Sequence, residues 1–225
     1  DTVAIRMPSS KIARDLIKKS GVPIAAPSAN ISGRPSITSE KFIADEFLGR
    51  VDLILLNDST EIGIESTVID VTGKNVVILR PGFVTKKDLE NLLSEEVIFD
   101  LNITDMTKAP KSPGMKYKHY APKCELYIMS GTIDIQINNA GMQIKNDINN
   151  GVKSIVLCLE KYTNHFRNYL NLGNSDIDVA KNIFSNLRIL DMMNMQKAYF
   201  LYEVNSELDF SIVDRIKKAA GYKII

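Results

Sequence analysis

No tryptophan, two cysteines and two histidines occur in the 225 residues of this chain, and each scarcity removes a class of protein. Cys124 and Cys158 are too few for a disulfide scaffold and lack the paired spacing of a zinc site. Two reduced thiols are the preferred reading, with Cys158 inside an expected strand, and a bridge between them stays open. His119 and His165 have no obvious serine or carboxylate companion, so a Ser-His-Asp apparatus is not expected. Charge of one sign is missing as well. With 28 basic and 27 acidic residues the net charge is +1, and no strong global field draws nucleic acid or a membrane surface. Any nucleic-acid contact is then local or belongs to a partner. No run of about 18 apolar residues and no charged-then-apolar leader occurs. Neither a Gly-x-Gly-x-x-Gly turn nor a Walker loop follows any expected strand, which weakens dinucleotide and P-loop readings. Repeats and low-complexity tracts are also absent.

What is present is enough for two modest domains, since 44% of the residues are hydrophobic. Thr2–Arg6, Val22–Ala26, Leu53–Leu56, Thr67–Val71 and Val76–Leu79 read as strands, the last two joined by the turn formers Thr72-Gly73-Lys74-Asn75. Helical spacing predicts helices over Lys11–Ser20, over Thr38–Leu48 with Ser39 as cap, and over Lys86–Leu93. From about Ser94 to Pro122 periodicity fades and prolines gather, as in a linker. Beyond it, Glu125–Met129, Ser154–Leu159 and Tyr199–Val204 read as strands. Asp178–Asn194 and Ser211–Ala220 read as helices, the first striped by Val179, Ile183, Phe184, Leu187 and Leu190. Alternating strands and helices predict a small parallel sheet of doubly wound, Rossmann-like type. The expected division is 1–98, a linker over 99–123, and 124–225.

Four segments carry chemistry. An apolar Val-Pro-Ile-Ala-Ala-Pro stretch delivers Ser28-Ala29-Asn30-Ile31-Ser32-Gly33-Arg34-Pro35, small polar groups beside a planar cation, as a ligand-facing loop. Glu65-Ser66-Thr67-Val68 precedes a strand, and Arg80-Pro81-Gly82 ends the next one. Ser112-Pro113-Gly114-Met115-Lys116-Tyr117-Lys118-His119-Tyr120-Ala121-Pro122 interrupts the linker. In this order the segments resemble the threonylcarbamoyl-AMP synthase family, with its YrdC-like core, in the long form with an appended C-terminal domain. The resemblance implies an α/β fold in which a YrdC-like twisted mixed sheet with helices precedes a smaller Rossmann-like parallel α/β domain. The chain starts at Asp1, apparently inside a strand, so roughly the first half of the synthase domain is expected to be missing, through fragmentation or cleavage.

The resemblance also implies roles. ATP, bicarbonate and L-threonine become threonylcarbamoyl-adenylate and pyrophosphate, and the adenylate then serves tRNA modification in the cytoplasm through a downstream transferase. Thr2, Asn30, Thr38, Arg80 and Tyr120 match ATP-facing positions. Arg6, Ser28 and Ser66 match threonine-facing ones, the Arg6 guanidinium gripping the amino acid carboxylate with two parallel bonds. No protein nucleophile is implied, because positioning and charge neutralisation carry the step. Tyr120 would close over ATP from a lid made supple by Gly114 and stiffened by Pro113 and Pro122. Magnesium is expected with ATP, without a protein carboxylate cluster to hold it. A competing reading makes the chain a noncatalytic RNA-binding or regulatory module, with Lys108, Lys111, Lys116, Lys118 and Lys123 as its basic cluster.

Overall fold

A computed structural model of the protein describes residues 2–31, 34–56, 60–100 and 121–225. Its first half carries a three-stranded mixed sheet. β1 (Val68–Asp70) pairs antiparallel with β2 (Val76–Arg80), and β2 pairs parallel with β3 (Val97–Phe99). Val76, Ile78 and Val97 bury one face against Leu89 of a helix, Lys86–Leu93. Thr85 caps that helix reciprocally with Asp88, which satisfies its first free amides.

Helix α1 (Lys11–Ser20) forms as its spacing predicts, capped by Ser10 and closed by Gly21 in the left-handed region. Thr38–Leu48 is shorter than expected: a 3₁₀ turn at Glu40–Phe42 leads into α2 (Ile43–Phe47). Ser39 makes no capping bond there. The Lys86–Leu93 helix is α3.

Thr2–Arg6, Val22–Ala26 and Leu53–Leu56 are not strands among the described residues. A strand exists only through a hydrogen-bonded neighbour, and these segments have none. Their apolar side chains accordingly stand in solvent, Val3 at 81%, Ile5 at 88% and Leu53 at 73% exposure.

The second half is built on a four-stranded, wholly parallel sheet in the order β4 (Glu125–Ile128), β7 (Lys197–Phe200), β5 (Ser154–Cys158), β6 (Tyr169–Asn171). Every residue of β5 is buried, as expected of a parallel strand covered on both faces. Period-two alternation divides its side chains. Val156 and Cys158 pack with Ala140 of helix α4 (Ile133–Asn149) and with Tyr199 and Leu201. Ile155 and Leu157 pack instead with α5 (Asp176–Met192) and α6 (Glu207–Ala220). The predicted α5 stripe is fully buried.

The α5–α6 layer is covered on its outer side too. Ile64 and Phe83, from the loops flanking β1 and β2, join the core of the second sheet. At Gly63 an added Cβ would lie 2.2 Å from the Lys181 carbonyl oxygen and 2.6 Å from that of Ala180, so loop backbone and helix backbone touch. Only glycine permits that approach.

Candidate functional site

Strand register creates the first part of the site. Val68 faces Arg80 across β1 and β2, which sets the residues entering β1 beside those leaving β2. Arg80 then turns back: its Nε and Nη2 donate to the Ser66 carbonyl at 3.2 and 2.9 Å. Arg6 reaches the same residue, its Nη1 donating to Ser66 Oγ at 3.5 Å. Two guanidiniums thus converge on Ser66, and among the described residues no carboxylate pairs with Arg6. Thr67 Oγ1 donates to the Val84 carbonyl at 2.5 Å and fastens the far end of the turn. Gly82 makes the arrangement possible. An added Cβ there would lie 2.3 Å from the Thr67 nitrogen and 2.5 Å from the Ser66 carbonyl carbon.

The Ser28–Pro35 loop is the second part. The Asn30 amide nitrogen of the backbone donates to the Ser28 carbonyl, and its side-chain Nδ2 donates to the carbonyls of Ile31 and Arg34 at 3.1 and 3.2 Å. Ser36 Oγ donates to Asn30 Oδ1 at 3.4 Å. Asn30 therefore spends much of its polarity shaping the loop, as Asx side chains do in turns. Glu46 sits beneath it, almost fully buried, with Oε1 accepting from the Ile31 amide at 2.5 Å. Burial pushes the Glu46 carboxyl up, yet the Arg188 and Ile31 hydrogen bonds, with the Arg188 and Arg34 charges, outweigh burial and hold it below the ordinary carboxylate range.

The expected site residues fall into separate groups. Arg6, Ser66 and Arg80 are brought together. Ser28, exposed, and Asn30, half-buried, share the second loop. Thr2 is exposed. Thr38 is buried and turned toward α5, its hydroxyl 2.8 Å from Ser185 Oγ. It lines a polar cleft of about 460 Å³ with Lys41, Thr60, Lys181 and Ser185. Tyr120, with Gly114, Lys116, His119 and the rest of the expected lid up to residue 120, lies outside the described residues. Sequence reasoning missed Ser36, whose only signal was its place one step past Pro35 and six beyond Asn30. It also missed the partners beneath the loops, Glu46, Arg188, Ser211 and Arg215. Nothing in their local sequence marks them, because their meaning lies in contacts across the fold.

A second cleft, of about 370 Å³, is lined chiefly by Ile78, Phe99 and Phe210 between the first sheet and α6. Neither cleft is lined by Arg6, Ser28, Asn30, Ser66 or Arg80. The cationic group around Ser66 is open to solvent, and its chemistry decides more than cavity size does. Among the described residues no group of three or more His, Cys, Asp and Glu side chains comes together to hold a metal ion.

Two family models together cover nearly the whole chain, meeting near residue 83. Residues 84–221 match the family described as threonylcarbamoyl-AMP synthase, C-terminal domain, and residues 1–82 match Sua5/YciO/YrdC, described as telomere recombination. The chain belongs to the Sua5 threonylcarbamoyl-AMP synthase family. It is 37% identical over 225 residues to the threonylcarbamoyl-AMP synthase of Pyrococcus abyssi, covering 100% of this chain and 66% of that protein. The Schizosaccharomyces pombe synthase is 31% identical over 241 residues, with 98% and 57% covered. The Bacillus subtilis synthase is 46% identical over 132 residues, with 59% and 38% covered. The crystal structure of P. abyssi Sua5 complexed with L-threonine superposes with a TM-score of 0.89 at 36% identity, covering 100% of this chain and 66% of that one. The chain therefore spans less than two thirds of the length of these Sua5 relatives. The mixed sheet followed by a parallel α/β unit is the α/β architecture expected from the motifs. No helix among the described residues is long and apolar enough to cross a membrane.

Proposed function

We propose that this Sua5-family chain carries part of an L-threonylcarbamoyladenylate synthase site, which makes threonylcarbamoyl-AMP and pyrophosphate from L-threonine, bicarbonate and ATP. The observation that carries the reading is the convergence of Arg6 and Arg80 on Ser66. Two guanidiniums beside a small hydroxyl suit a carboxylate next to a phosphate, because each carries a fixed positive charge and N–H donors that match the oxygens of either group. The L-threonine in the P. abyssi complex, within a fold matching this one over its whole length, supports the amino acid as substrate.

On this reading Arg6 holds the threonine carboxylate, and Ser66 and Ser28 face the amino acid. The threonine amine attacks bicarbonate carbon, the C–OH bond breaks, and hydroxide leaves as water with a proton from the amine, which gives a carbamate. Its carboxylate oxygen then attacks the α-phosphorus of ATP, the bond to the pyrophosphate oxygen breaks, and pyrophosphate leaves. Arg80 neutralises the charge that moves onto phosphate oxygens, a contribution of position and field rather than covalent catalysis. Asn30, Thr2 and Tyr120 face the nucleotide. Thr38, bonded to Ser185, also faces the nucleotide on this reading. Magnesium comes with ATP, held by phosphate oxygens and water, which hard cations prefer. The adenylate product passes in the cytoplasm to a transferase acting on tRNA.

Pyrophosphate release from ATP, with threonine and bicarbonate present, tests the reading in this 225-residue chain and in the full-length protein. Release that depends on threonine in the full-length protein is expected. Its absence there, together with salt-sensitive RNA binding, would replace the synthase reading by the RNA-binding one.

A further inference from the structure

Two guanidiniums, Arg215 buried and Arg188 partly buried, enter the site loops from the C-terminal α/β unit. Arg215 of α6 is 2% exposed, and its Nε meets Glu65 Oε2 at 3.0 Å while its Nη2 donates to the Pro81 carbonyl at 2.7 Å. One helical turn earlier, Ser211 Oγ donates to the Gly82 carbonyl at 2.9 Å. The neighbours of Ser66 on one side and of Arg80 on the other are thereby tied to one face of α6. Arg188 of α5 repeats the device on the other loop. Its Nη1 meets Glu46 Oε2 at 2.7 Å, its Nη2 donates to the Pro35 carbonyl, and its guanidinium lies over the Phe42 ring at 5.9 Å. Glu46 in turn holds the Ile31 amide.

We propose that Arg188 and Arg215 are positioning residues of the synthase site, each fixing one ligand-facing loop to the C-terminal unit. The assignment of substrates to loops rests on the synthase reading above. The pattern is more than generic interface packing. In both places an arginine spans a glutamate and a loop carbonyl of the first half, a combination that needs a planar fork of several donors and that a lysine cannot reproduce. Buried ion pairs are a poor route to stability, since apolar residues of similar volume often serve as well or better. What they supply is a defined geometry, and here both sit directly behind the groups meant to grip substrate. The backbone contact at Gly63 leaves no slack between loop and helix.

The test uses the full-length protein with Arg215→Met, Arg215→Lys, Ser211→Ala and Arg188→Met. Asp147→Asn serves as control, because it breaks a buried cluster with Lys197 and Tyr199 remote from both loops. Kinetic constants come from pyrophosphate release, and amide hydrogen exchange follows residues 65–67, 82, 83, 30, 31, 34 and 36. Arg215→Met is expected to raise the threonine KM about tenfold or more and to speed exchange at Ser66 and Thr67 about tenfold. Arg215→Lys raises KM too, with little change in Tm. Arg188→Met speeds exchange at 30, 31, 34 and 36. Asp147→Asn lowers Tm without moving KM or loop exchange. Unchanged KM and exchange in Arg215→Met, or equal KM effects in Asp147→Asn, would overturn the proposal. If the wild type releases no pyrophosphate with threonine, the synthase reading fails, and the exchange rates alone then decide whether the arginines hold the loops.

Discussion

Replacing Gly82 with alanine adds one methyl group at the tightest backbone crossing of the site. The new Cβ would lie 2.3 Å from the Thr67 nitrogen, 2.5 Å from the Ser66 carbonyl carbon and 2.6 Å from the Glu65 oxygen. Every one of these atoms is backbone, so no side-chain rotation relieves the clash. Comfortable carbon contacts begin near ~3.5 Å, and the Glu65–Thr67 loop must therefore retreat by about 1 Å. Overpacking of this size costs about 1–3 kcal/mol, read as a Tm lower by about 2–4 °C for each kcal/mol in a chain of this size. The retreat also carries Ser66 away from Arg6 and Arg80. A 1 Å error in positioning costs about 100-fold in rate, and threonine-dependent pyrophosphate release should fall by that order. Gly73→Ala is the matched control: its Cβ would meet nothing nearer than 3.9 Å, in the turn between β1 and β2. Stiffening of the unfolded chain should stabilise that variant by about 0.4–1 kcal/mol, with activity kept. A Gly82→Ala protein with wild-type Tm and a wild-type rate of threonine-dependent pyrophosphate release would refute the steric argument.

Gly63→Ala should loosen the contact between the first half and α5 and lower Tm, since its Cβ would lie 2.2 Å from a helix carbonyl; thermal unfolding of the variant checks this. Glu46 makes stability acid-sensitive. Its folded pKa is depressed, so its contribution is complete above the ordinary carboxylate range and is lost as pH falls through the lower folded value. Thermal melts from about pH 6 down to about pH 3 should show a steeper decline for wild type than for Glu46→Gln. The Cys158 thiol, wholly buried and pushed up to about 12 by burial, should resist alkylation at neutral pH until the protein unfolds. Thr38→Val should cost about 1 kcal/mol through the lost bond to Ser185, whereas Ser36→Ala should raise the ATP KM by freeing Asn30 Oδ1.

Legibility followed periodicity. α1, α3, α5 and α6 carry long apolar stripes with capping residues, and β5 is a short apolar run between polar ends, so each could be read within a residue or a few of its limits. Helix α4 was not read. Its Ile133-Asp134-Ile135-Gln136-Ile137 opening alternates with period two, and its β-branched and Asn residues are poor helix formers, so tertiary packing around Ala140 decides its state. Strand β3 is hidden in the expected linker because three residues after a helix give no period, yet they pair with β2 and bury Val97 completely. The three failed strands err in the opposite sense: their composition is right for a sheet, and composition cannot supply a neighbour. At the site, the grouping of Ser66 with Arg80 was readable from motif order, because an antiparallel pair returns its two outer ends to one place. Arg188 and Arg215 were not, since an arginine in a helix pattern ordinarily reads as solvent-facing.

That last failure bears on how the two halves divide the work. A solvent-facing arginine is cheap, whereas one at 2% exposure must recover a large desolvation cost. Arg215 does so by spreading its donors over Glu65, Asp214 and the carbonyls of Ser211 and Pro81, two partners on its own helix and two on the loops of the first half. The partners from the first half sit on both sides of Ser66 and Arg80. Pulling the α6 layer away would strand a buried cation and leave loop carbonyls without donors. The helices and the loops therefore have to stay docked together or separate together. On the synthase reading that coupling matters, because a site whose loops cannot drift independently holds one geometry for the attacking carboxylate.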